Sequence, residues 1–172
     1  MTVSAPGRGL AIGGALAILG GALAIFGTLL PWEQLDRSLA AAAKVSSSPI
    51  GIEFDDGKIF VFVASLTILS YGCSLAARWL PAGLVATVGR LIGNGAGVSA
   101  VAGGYVVGVS LLYLGDIADG VDKINGLPHG SASLGLGLQL DLVAGAVILA
   151  GSAIGLLIKR DQRPDRRDSF AA

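Results

Sequence analysis

This chain of 172 residues holds one cysteine and one histidine, and only 14% of it is charged. Each shortage excludes something. Cys73 has no partner for an internal disulfide, so no disulfide framework exists. His129, in a Pro-His-Gly turn, and Cys73 are too few for a metal site of clustered His and Cys ligands. No cofactor is expected, and no catalytic constellation of nucleophile and base is legible. Soluble domains carry about 25% charged residues, so this chain does not read as one.

What is present is apolar length. Leu10–Leu30, Ile59–Ala77, Leu91–Leu114 and Leu142–Ile158 contain no Asp, Glu, Lys or Arg. A bilayer core about 30 Å thick requires ~17–25 apolar residues per helix, and all four runs fit. The expected fold is an all-α membrane protein: a four-transmembrane-helix bundle with a small extracytoplasmic cap containing short β-strands. The whole of 1–172 is one membrane domain. Its spans are 10–30, 59–77, 91–114 and 142–158, its outer segments 31–58 and 115–141, and its cytoplasmic tail 159–172.

The net charge of zero hides an asymmetry. If both ends share one side, that side holds Arg8, Arg78, Arg90, Lys159, Arg160, Arg163, Arg166 and Arg167. The other side holds Arg37, Lys44, Lys58 and Lys123, with nine of the twelve acids. The excess of basic residues puts both termini in the cytoplasm. The acidic outer face makes nucleic acid an unsuitable partner. Arg8 before an apolar run imitates a signal peptide, but the run continues to Leu30, past the ~7–15 residues of a signal core. An uncleaved first helix is expected. The basic residues of the tail read as a stop-transfer anchor on anionic headgroups.

Span one stops at Pro31-Trp32, where proline cannot donate to a continuing helix. Trp32 and Trp79 are expected as anchors at the lipid–water boundary. In the first outer segment, Leu35, Leu39 and Ala42 sit at helical spacing. Ser46-Ser47-Ser48-Pro49 breaks that helix, and Ile50–Phe54 alternates as a strand does. The second segment repeats the plan at an offset of about 83 residues. Ile117, Val121 and Ile124 are helically spaced, Asn125–Gly130 is the break, and Leu134–Leu140 alternates Leu with Gly and Gln. Either duplication or the shared demands of membrane hairpins accounts for this. The two strands are expected to pair or lie on the bundle, with Asp141 as N-cap of span four. The competing reading extends span four outward through Leu134–Leu140 and makes Asp141 a buried carboxylate, which is usually functional.

Small residues are regularly spaced in two spans. Gly13, Gly20 and Gly27 recur every seven residues, and Ala96, Ala100, Gly104 and Gly108 every four. In lipid, helices associate through close packing at such residues. These stripes either pack the bundle itself or dock another subunit. Asn94 reads as an interhelical hydrogen bond. Asp116, Asp119 and Asp122 share one side of a helix and, with Asp55, Asp56 and Asp141, could gather oxygen ligands for Ca²⁺, but EF-hand spacing is missing and a solvated acidic face is the expected reading.

The Leu29-Leu30-Pro31-Trp32 exit from span one, with Asp56-Gly57 before span two, resembles small four-helix inner-membrane proteins of high-GC bacteria, particularly actinobacteria. The resemblance covers the first half best. It implies a four-helix architecture and transfers no catalytic residue, since such proteins mostly lack an assigned activity. The architecture is also similar to claudin-like proteins, but the outer segments contain no cysteine, so the claudin disulfide pattern is absent. The expected role is that of a non-catalytic accessory or assembly subunit of an envelope complex. Its partners would be the lipid bilayer and either another membrane protein or a second copy. A small-solute or ion pathway is the alternative.

Overall fold

The structure is a computed structural model that describes residues 8–44, 46–75, 81, 83–84, 87, 95–127 and 131–161. Trp79, Asn94, His129 and the tail beyond Asp161 lie outside them. Among the described residues, four helices are long and apolar enough to cross a membrane. They are α1 (Arg8–Thr28), α3 (Asp55–Leu75), α4 (Gly95–Asn125) and α5 (Leu136–Asp161). A short helix, α2 (Arg37–Ala43), and a two-stranded antiparallel sheet of β1 (Glu33–Leu35) and β2 (Ala132–Leu134) cap one end.

The helix boundaries follow local chemistry. After Thr28 the backbone tightens, with Leu29 and Leu30 amides donating to the Phe26 and Gly27 carbonyls at 3.1 Å, and Pro31 ends the run. Asp36 caps α2 by accepting the Ser38 amide at 2.8 Å, and Lys44, at φ 56°, closes it in the left-handed conformation. At 31 residues, α4 is about 46 Å long, longer than a bilayer core, so it projects into the cap. The helical spacing of Ile117, Val121 and Ile124 is the last third of this one helix, not a separate short helix. Asn125 ends it and joins it to β2. Its side-chain amide donates to the Ala132 carbonyl at 3.1 Å, and its Oδ1 accepts the Ala132 amide at 2.8 Å.

Two strand expectations are corrected. Around Ile50–Phe54, a 3-10 turn occupies Gly51–Glu53, and only Ile50 bridges, to Pro31. The chain turns there because Gly51 lies against the Trp32 indole, where any side chain would collide. The segment Leu134–Leu140 contributes Leu134 alone to β2 and then becomes the first turns of α5. Its glycines follow the pleat period for another reason. Gly135 and Gly137 lie where the chain leaving α1 passes, and a methyl group on Gly137 would meet the Leu30 carbonyl oxygen at 2.7 Å. The Gly135 and Gly137 amides instead donate to the Trp32 and Pro31 carbonyls at 2.8 and 3.0 Å. That satisfies backbone donors near the start of α5. The strand that β2 meets is β1, in the register Glu33↔Leu134, Gln34↔Ser133 and Leu35↔Ala132. The strand precedes the short helix in the first half and follows the break in the second, so the two halves do not share one plan.

Inside the bundle, α1 lies between α3 and α5, and α4 packs against the other side of α5. The seven-residue glycine stripe of α1 faces α5. A methyl group on Gly20 would sit 2.8 Å from the Ile148 amide nitrogen and 2.9 Å from the Ala144 carbonyl oxygen, and Gly13 and Gly27 are equally tight. Such backbone-to-backbone approach is what small residues at a helix contact permit. Gly103 and Gly145 play the same part between α4 and α5. Polar residues in the helices turn back on their own carbonyls: Thr28 on Ile25, Thr67 on Val63 and Ser152 on Ile148, at 2.8 to 3.0 Å.

Candidate functional site

The chemistry of the molecule gathers at the sheet end. Trp32, in the linker between α1 and β1, is fully enclosed. This corrects its expected place as a lipid-boundary anchor: an indole with no exposed surface has no contact with headgroups. Its ring stacks on Phe54 (centroids 5.2 Å, 11° between planes) and meets the edge of Tyr113 at 5.2 Å. Phe60 lies tilted against it at 5.7 Å. Val106 and Leu138 complete this core. Pairs of rings at these separations contribute about 0.5–1.5 kcal/mol each beyond their burial.

The Trp32 indole N–H donates to Asp141 Oδ2 at 3.0 Å. Asp141 is itself fully enclosed, and its Oδ1 has no hydrogen-bond partner among the described residues. It is therefore not an N-cap. The helix begins five residues earlier, at Leu136, because Gly135 and Gly137 let the start of α5 slide under the exit of α1. Gly27 supplies the room for the carboxyl group, since a side chain there would strike Oδ1.

A second carboxylate ties α3 to α4. Asp56, in the first turn of α3, accepts the Tyr105 hydroxyl on Oδ1 at 2.7 Å and the Tyr113 hydroxyl on Oδ2 at 3.0 Å. The two tyrosines lie about two turns apart on one face of α4, and the carboxylate bridges them. Tyr105 also meets Phe60 edge-on at 5.8 Å. The sequence pattern singled out Asp56 only as a possible Ca²⁺ ligand and as part of the Asp56-Gly57 motif, not as a partner for tyrosine. The eight-residue spacing of Tyr105 and Tyr113 was the available signal.

Of the residues expected to pack helices, Gly13, Gly20 and Gly27 are buried against α5, and Ala96 is buried beside Ala17 and Tyr71. Ala100 is half-buried. Gly104 and Gly108 differ: a methyl group on either would meet nothing within 4 Å. With Val101, Leu111 and Leu112, which are 75%, 54% and 70% exposed, they form a bare face of α4. Beside that face an apolar groove of about 530 Å³ opens between α3 and α4, lined by Ile59, Val63, Leu66, Val98, Val101 and Tyr105.

Asp141 is fully enclosed, and both oxygens of Asp56 accept phenol hydroxyls. No group of three His, Cys, Asp or Glu that would hold a metal ion occurs among the described residues. What these contacts do is clamp: Trp32–Asp141 fastens the cap to α5, and Asp56 fastens α3 to α4. Comparison of the chain with protein-family models, curated proteins and solved structures gave no match.

Proposed function

We propose that the chain is a multi-pass protein of the bacterial plasma membrane, with both termini cytoplasmic and the sheet end outside. It acts without catalysis, as an accessory or assembly subunit that receives a transmembrane helix of another protein, or of a second copy, on the bare face of α4. One observation carries this reading. Gly13, Gly20 and Gly103 are pressed against neighbouring backbone, whereas Gly104 and Gly108, spaced four apart, are open. Small residues four apart let a second helix approach closely in lipid. The neighbouring groove adds a recess for its larger side chains. The test is purification in mild detergent. The parent should travel with a partner or as an oligomer, and Gly104→Leu should lose that association while keeping the parent's thermal stability. A strictly monomeric, partner-free parent refutes the reading.

A solute or ion pathway is the second reading, and Asp141 favours it. A lone carboxylate enclosed in a helix long enough to cross the membrane is functional by default. Flux in proteoliposomes that Asp141→Asn abolishes would promote it over docking.

A further inference from the structure

The cap contains a recess that the clamps and the α4 face do not use. A cavity of about 210 Å³ lies between β1 and the projecting end of α4. Phe54, Tyr113 and Ile117 form its wall, with Leu35 at the strand side, and Glu33 and Asp116 bring a carboxylate from each element. Phe54 stacks on Trp32 and meets Tyr113 at 5.8 Å with the planes 69° apart, and both Phe54 and Tyr113 line the cavity. The Tyr113 hydroxyl is already donated to Asp56 and is not free to donate to a guest. A phenol that donates to a carboxylate is polarised toward a more negative ring. Neither Glu33 nor Asp116 is paired with a cation; among the described residues the one ion pair is Lys58 with Asp55, on α3.

Aromatic faces attract cations through their quadrupole, and desolvated cases are worth more than exposed ones. Two unpaired carboxylates on opposite sides of the same recess add charge of the matching sign. The space suits a compact head rather than a drug-sized ligand, for which ~300–1,000 Å³ is usual. We propose that this cavity binds a small alkylammonium cation, its apolar substituents against Phe54, Tyr113 and Ile117 and its charge between Glu33 and Asp116. The same chemistry comes from a free solute or from the headgroup of a choline lipid. The site is independent of helix docking on α4, so either stands without the other.

The experiment uses the full chain in nanodiscs of phosphatidylglycerol, which carries no amine. Tetramethylammonium chloride is titrated against sodium chloride of equal ionic strength, and binding is followed by Trp32 fluorescence in a Trp79→Phe background. Trp32 contacts both cavity rings and reports from behind them. A saturable change is expected with the ammonium ion and not with sodium. The paired variant Glu33→Gln, Asp116→Asn should weaken binding at least tenfold without changing thermal stability. tert-Butanol, apolar and uncharged, should not compete. Repeating the titration in phosphatidylcholine nanodiscs assigns the source. A weaker apparent affinity means that the lipid headgroup reaches the site, and an unchanged one means a soluble cation, both consistent with an ammonium site. A response equal to sodium's, equal competition by tert-butanol, or unchanged binding in the paired variant overturns the proposal.

Discussion

Trp32→Phe isolates the clamp between the cap and α5. The substitution removes the indole N–H that donates to Asp141 Oδ2 at 3.0 Å and trims a ring that has no exposed surface. Because Asp141 Oδ1 already lacks a partner, the variant leaves a fully enclosed carboxyl group with none at all. Leaving a buried polar group unsatisfied costs about 1–3 kcal/mol, and the lost ring volume adds ~1 kcal/mol. The sum is about 2–4 kcal/mol. At ~2–4 °C per kcal/mol for a chain of this size, Tm in mild detergent should fall by roughly 4–16 °C. Asp141→Asn keeps an acceptor for the indole and should stay within about 1 kcal/mol of the parent. Asp141→Leu removes the polar group itself. Trp32→Phe should then cost less in the Asp141→Leu background than in the parent, by a coupling of ~1–2 kcal/mol. The assay is thermal unfolding of the four proteins of that cycle, followed by retention of each protein's own size-exclusion peak after heating. Additive losses, with no coupling, would refute the hydrogen bond as the fastening between cap and helix.

Gly20→Val drives a branched side chain into the Ile148 and Ala144 backbone, and should lower stability by about 2–3 kcal/mol, whereas Gly104→Val should leave the isolated chain unchanged; parallel melting curves check both. Asp56→Ala strands two tyrosine hydroxyls and unties α3 from α4, so amide hydrogen exchange at the start of α3 should rise, and Asp56→Asn should restore most of the protection. With Cys73 replaced, cysteine at Ser47 or Ser131 should react with an impermeant maleimide in intact cells, and cysteine at Ser169 should not. Labelling at Ser169 alone would reverse the orientation.

The helices were legible because what makes them is local. Apolar run length, Pro31 after span one, and Asn125-Gly126 after α4 act within a few residues of where they stand, and each boundary lies close to its signal. The small-residue stripes were visible for the same reason, but periodicity names a face without naming its neighbour. The stripes of α1 and α4 look alike in sequence, yet the first is closed by α5 and its counterpart at Gly104 and Gly108 is bare. The period-two reading of Leu134–Leu140 failed at glycine. A residue without a side chain satisfies strand alternation and close helix approach equally, and only the passing backbone of the α1 exit distinguishes them.

By itself, then, the sequence determined four helices of membrane-spanning length and where the small-residue stripes lie along them. These depend on composition and spacing, which need no fold to read. Tertiary structure alone decided that β1 pairs with β2, that Trp32 is interior, and that Asp141 meets an indole 109 residues away. Contacts that distant leave no periodic trace in either segment. They exist because α1 and α5 lie side by side, and that follows from glycines whose neighbours are settled only when the helices meet.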